Sequence, residues 1–146
     1  MPRVMPDDPL NELPGYALRR AANAMMAELT ARLVPLDLRI SDASVLMLIA
    51  ERTDMTSSDI GKVLDIQRAN MVPLLNRLEA AGLIARKPID RKSQAVVLTP
   101  EGRERLADTR AIVTCFEDDL MARIPDEHRP HFLPALRALV GQPVDP

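Results

Sequence analysis

The segment from Thr56 to Leu98 constrains this chain more than any other. Thr56-Ser57-Ser58-Asp59 resembles a helix N-terminal capping box with Asp in place of Glu. It predicts a short helix with Ile60, Val63 and Leu64 on its buried side. Asp65-Ile66-Gln67 predicts a tight turn, because Asp tolerates the left-handed backbone better than most residues. A longer helix follows from about Arg68 to Ala81, with Met71, Leu74, Leu75 and Leu78 on one side and Gly82 at its C-terminal cap. Two short helices around a three-residue turn form the helix-turn-helix pattern, which simple packed helix pairs also produce. Next come two predicted strands, Leu83 to Lys87 and Gln94 to Leu98, around the polar, basic tip Pro88-Ile89-Asp90-Arg91-Lys92-Ser93. A helix-turn-helix followed directly by a basic hairpin is a winged helix.

The flanks are helical. Residues 1–14 carry four prolines and read as a flexible arm. From Tyr16 to Val34, the residues Leu18, Ala22, Met25, Met26, Leu29 and Leu33 fall on one helical stripe, and Pro35 ends it. Ser41 is the expected N-cap of a helix through Arg52 with Val45, Leu46, Leu48 and Ile49 inside. Thr99-Pro100-Glu101 restarts a helix that runs to about Arg123. The last predicted helix, broken up by Pro125, Pro130 and Pro134, carries Phe132, Leu133, Leu136, Leu139 and Val140. The expected class is mainly α with a small β wing. A lone winged lobe needs little of residues 16–34 or 103–140, so their apolar stripes call for a cover, and a second copy is the simplest one.

Charge falls where such a lobe would meet phosphates. Between Ile60 and Lys92 there are seven basic residues against three acids, although the whole chain carries −2. A local excess of this kind is the footprint of a duplex binder, and it is also seen on ordinary solvated faces. At about 100° per residue, the helix after the turn buries its Met71 side. It then presents Ala69, Pro73 and Asn76, flanked by Asn70, Val72 and Arg77. Asn70 and Asn76 suit paired hydrogen bonds to adenine, Arg77 a guanine edge or a phosphate, and Ala69, Val72 and Pro73 thymine methyls. Pro73 removes a backbone hydrogen bond, so the alternative is a helix that starts near Val72 and presents less of Arg68 to Asn70.

Composition excludes other classes. At 146 residues the chain holds one domain, and 47% apolar residues suffice for a core. No run of about 18 apolar residues exists to span a membrane. The acidic, proline-rich start is unlike a secretory leader, so a cytoplasmic location is expected. Aromatics at 2% argue against a base-stacking platform. The single cysteine, Cys115, forbids an internal disulfide and reads as a buried, inert thiol rather than a redox sensor. His128 and His131, beside Asp126 and Glu127, read as a solvated helix start in preference to a metal site. The five glycines are isolated, leaving no phosphate-cradling loop, and neither a cofactor nor an enzymatic site is expected.

The runs Leu83-Ile84-Ala85-Arg86, Asp90-Arg91-Lys92 and Val96-Val97-Leu98-Thr99-Pro100-Glu101-Gly102 resemble the wing signature of MarR-type transcription regulators. The helix order matches that family from about Tyr16 to Val140. The resemblance implies one domain over residues 15–146, with a winged helix-turn-helix at 41–99. It also implies interlocking dimerisation helices at 15–34 and 100–140. A homodimer would then grip a roughly palindromic duplex, as a repressor relieved by a small, often aromatic, acid or its CoA thioester. Thr56, Ser57 and Ser58 would touch phosphate; Arg68, Lys87 and Lys92 of the basic window are further candidate DNA-binding residues. Arg91 would enter the minor groove while Asp90 steers its guanidinium. An effector would lie near Tyr16, Arg19, Arg20, Asn23, Met26 and Met47; the plainer reading of those residues is packing for the methionines and exposure for the arginines. Pro73, Asp65 in place of a common glycine, and the proline-rich last helix depart from the family pattern. The rival reading is a winged-helix module that holds protein partners and reads no DNA sequence.

Overall fold

The computed structural model describes residues 8–142. In chain order the elements are α1 (Pro14–Leu33), α2 (Ile40–Ala50), α3 (Ser57–Leu64), α4 (Arg68–Ala80), β1 (Ile84–Pro88), β2 (Gln94–Leu98), α5 (Pro100–Ala122) and α6 (Arg129–Leu139). The architecture is mostly helical with a two-stranded antiparallel wing, as the sequence predicts. The chain divides into two compact units inside α5, after Ile112.

In the first unit, α2 is the most deeply packed helix. Its Val45, Leu46 and Ile49 meet Ile60 of α3, Met71, Leu75 and Leu78 of α4, and Val96 of β2 in one apolar core. The helix-turn-helix corner forms as its residues dictate. Asp65 adopts the left-handed conformation at φ 54°, and the Ile66 N–H donates to the Gly61 carbonyl at 2.9 Å. Gly61 permits this closeness, since a Cβ there would lie 3.0 Å from the Ile66 carbonyl oxygen. The wing pairs Ile84 with Leu98 through Pro88 with Gln94. Its root is pinned to the segment before α3, because the Val96 N–H donates to the Met55 carbonyl at 2.8 Å.

Four local expectations are corrected. Helix α2 starts at Ile40, not after Ser41: Asp42 accepts the Arg39 N–H at 2.8 Å and so closes the first turn. The arm expected over 1–14 falls outside the described residues up to position 7. Beyond it, Asp8 caps a 3-10 turn over Pro9–Glu12, and Pro14 opens α1, where a proline's missing N–H costs nothing. In the second unit α6 is unbroken. Pro130 occupies its first turn, and Pro134 sits inside the helix without ending it. The α5–α6 turn is closed by Arg129, whose guanidinium donates to the carbonyls of Met121, Ala122 and Ile124 and pairs with Asp126 at 2.6 Å. Cys115, expected to be buried, is exposed in the single chain, while neighbouring Phe116 is buried. Helical rotation gives adjacent positions different faces, and the apolar stripe runs through Phe116.

Candidate nucleic-acid interface

The start of α3 is built by reciprocal capping. The Thr56 hydroxyl accepts the Asp59 N–H at 3.2 Å, and the Asp59 carboxylate accepts the Thr56 N–H at 3.0 Å. The bonds from Thr56 hold the Asp59 carboxyl below its ordinary value. Ser57 and Ser58 follow in the first helical turn, where N–H groups have no partner within the helix and favour an anion. Helix α4 starts at Arg68, so Arg68, Ala69 and Asn70 all belong to it and are exposed. Pro73 lies inside α4 on its exposed side without displacing the helix start to Val72.

The wing tip is held by one carboxylate. Asp90 Oδ1 accepts the N–H groups of Lys92 at 2.8 Å and Ser93 at 2.9 Å, and these bonds keep its carboxyl below the ordinary range. Asp90 therefore shapes the loop from which Arg91 projects. Through Oδ1, Asp90 is thus tied to the backbone of the tip on the C-terminal side of Arg91.

An open cleft of about 1080 Å³ separates the helix-turn-helix from the wing. It unites Thr56, Ser57 and Ser58 with Arg68 and Val72 of α4 and with Asp90, Arg91 and Lys92 of the tip. Lys62, Gln67 and Arg86 also line it, none of them singled out as a site residue from the sequence. Lys62 was recoverable, since it lies one α3 turn beyond Ser58 on a strongly amphipathic helix. Five basic side chains line it against two acids, Asp65 and Asp90, so the cleft favours a polyanion.

Ala69, Asn70, Pro73 and Lys87 are exposed beside the cleft rather than on its lining. Two predicted base readers are otherwise occupied. Arg77 pairs with buried Asp42 of α2, so its charge is turned toward the core rather than toward a guanine or a phosphate. Asn76 accepts from Arg86 at 3.2 Å, and Arg86 also pairs with Glu79 at 3.2 Å. A paired contact to adenine needs both edges of the amide. Both asparagines are exposed, and Asn76 shares its carbonyl edge with Arg86.

The six residues expected near an effector are spread along two helices. The guanidinium groups of Arg19 and Arg20 lie 5.5 and 5.9 Å from the centre of the Tyr16 ring. Arg20 also donates to Asn11 at 2.9 Å. Asn23 and Met26 are exposed on α1, and Met47 is half-buried against the core of α2. Among the described residues no group of three or more His, Cys, Asp or Glu is arranged to hold a metal, and His128 lies 3.6 Å from Glu127.

Comparison with known proteins fits this geometry. The MarR family profile matches residues 38–93. A transcriptional repressor, CouR, solved with p-coumaroyl-CoA, is 30% identical over 93% of this chain and 97% of its own, with a TM-score of 0.83. This chain belongs to the MarR family. CouR bound to a 23-mer DNA duplex superposes with a TM-score of 0.82 at 29% identity, covering 94% of this chain and 99% of that one. The MarR family protein Rv2887 of Mycobacterium tuberculosis, in complex with salicylic acid, gives a TM-score of 0.69 at 26% identity, covering 91% and 97%. A regulatory protein assigned to the hcr operon of Thauera aromatica is 31% identical over 100 residues, 67% of this chain and 60% of that protein's length. As a MarR-family chain it is a transcription regulator, and its matched segment 38–93 contains both sides of the basic cleft. No described helix is long and apolar enough to cross a membrane.

Proposed function

We propose that this chain is a homodimeric repressor that binds a roughly palindromic DNA duplex and releases it when a small aromatic acid or its CoA thioester binds. The cleft carries the reading, because it gathers a capped helix start, the first turns of α4 and a basic wing tip around one positively charged concavity. Phosphates would meet Ser57, Ser58, Lys62 and Lys92. Base edges would meet Asn70 and the apolar surface of Ala69, Val72 and Pro73, while Arg91 reaches the minor groove. Arg68 and Lys87 would steady the backbone on either side. Nothing in this reading calls for catalysis or a bound cofactor, and it places the chain in the cytoplasm with the DNA.

The effector class rests on the relatives. CouR was solved with p-coumaroyl-CoA and Rv2887 with salicylic acid, both of which carry an aromatic ring and anionic oxygens. Arg19 and Arg20 beside Tyr16 supply cations and a flat ring, and Met26 and Met47 supply adaptable apolar surface. Release follows only if the effector prefers the conformation that does not bind DNA. Footprinting of the DNA flanking the gene, repeated with aromatic acids and their CoA thioesters, tests both halves. Protection that fades steeply with salt and vanishes with one compound is expected. Protection independent of sequence would overturn the DNA reading, and protection unmoved by any compound would overturn the effector reading.

A further inference from the structure

Asp42 is an acidic residue only 2% exposed, buried beside the apolar core. Its two oxygens are divided between two elements. Oδ2 accepts the Arg39 N–H at the start of α2, and Oδ1 receives the guanidinium of Arg77 from α4, 35 residues away in sequence. Withdrawing a carboxylate from water is costly, and a well-packed apolar pair of similar volume is often at least as stable. A pair of this kind is better understood by its direction than by its contribution to stability. The contacts of α4 through Met71, Leu74, Leu75 and Leu78 are apolar, and such contacts resist a small roll or slide of the helix only weakly. A hydrogen-bonded ion pair has one geometry.

The opposite flank of α4 is held in a similar way. Arg86 of β1 reaches Glu79 and Asn76. Arg77 and Glu79 are two residues apart, which places them about 200° apart around the helix. One lock therefore ties α4 to α2 and the other ties it to the root of the wing.

The geometry points to Asp42 and Arg77 as positioning residues that set the roll of α4 within the duplex-binding surface, with Arg77 making no DNA contact of its own. The DNA part of this inference rests on the function proposed above; the helix-positioning part does not. The test uses the full chain with Asp42→Asn, Arg77→Met, the double variant and Arg77→Lys. The probes are a duplex selected by the wild-type protein from random sequence and a scrambled duplex of equal composition. All measurements are made well below each variant's melting temperature.

Each single variant is expected to lose about tenfold affinity for the selected duplex, with the double variant losing no more than the worse single one, as coupled residues do. Binding to the scrambled duplex and the salt slope should stay unchanged, and Arg77→Lys should recover part of the loss. If Arg77 touches phosphate, Arg77→Met lowers the salt slope by about one on both duplexes while Asp42→Asn does not, and the proposal fails. If the pair only supports the fold, both variants bind normally below their melting temperatures, and the proposal also fails. Should the wild type select no duplex, it is the DNA reading that falls, and amide hydrogen exchange of the free protein decides the positioning claim. Faster exchange confined to α4 in both single variants supports it, and unchanged exchange overturns it.

Discussion

Asp90 condenses much of the site's chemistry into one side chain. Its carboxylate is exposed, yet two backbone N–H groups of the wing tip point at it, and the charged form accepts both. Because these bonds lower its pKa in the folded chain, their contribution is complete above the ordinary value of 3.8 and is lost as pH falls through the lowered value. The amide resonances of Lys92 and Ser93 should therefore titrate with a midpoint below 3.8; a midpoint at or above that value would show the carboxylate unengaged. Arg91, next in sequence, is exposed and lines the cleft. Arg91→Ala should weaken binding to the preferred duplex by roughly 1–3 kcal/mol while leaving stability within about 0.5 kcal/mol. Parallel titrations of DNA and urea check both figures, and unchanged DNA binding would remove the wing from the interface.

Elements were legible in this sequence where a residue acts through its own neighbours. The Thr56/Asp59 box, the left-handed Asp65 and the hairpin from Ile84 to Leu98 depend on short-range rules and appear as expected. What escaped the sequence depends on partners far along the chain. Arg77 looks outward on a helical wheel, and only the fold brings Asp42 to it. Asn76 is likewise claimed by Arg86, ten residues on. The Leu-Thr-x-x-Gly run was visible as a pattern, and the structure supplies its cause: a Cβ on Gly102 would stand 2.0 Å from the Leu83 carbonyl oxygen, which also accepts the Thr99 N–H. Gly102→Ala should thus displace the start of α5 from the wing and cost about 2 kcal/mol or more. Urea denaturation reads that loss, and a change under 0.5 kcal/mol would mean that the helix shifts freely. Pro73 predicts the opposite sign. Its ring leaves the Ala69 carbonyl without the usual bond four residues on, so Pro73→Ala should stabilise α4 by about 1–2 kcal/mol, less than the full helix penalty because the unfolded chain gains freedom. An unchanged midpoint would show that the lost bond carries no cost at this solvent-facing position.

For the whole molecule the decisive feature is the apolar surface that described helices of both units leave exposed. Leu18 and Met26 of α1 are 42% and 57% exposed, and Leu139 at the end of α6 is 68% exposed. No residue of α6 is buried. Helices with such faces associate in water, and a closed twofold pair covers both copies alike. Light scattering at micromolar concentration should give about twice 16.2 kDa. The double substitution Leu18→Asp and Leu139→Asp should reduce this to one copy, since it buries a charge in any such interface. The consequence for DNA follows from linkage. Two lobes on a twofold axis meet half-sites about one helical turn apart, and holding the first raises the effective concentration of the second. The monomeric variant should therefore lose on the order of 100-fold affinity for a full palindrome while keeping its affinity for an isolated half-site. Equal loss on both duplexes would mean that the substitutions had damaged the winged lobe itself. A variant that stays dimeric would place the covering surface elsewhere on the chain.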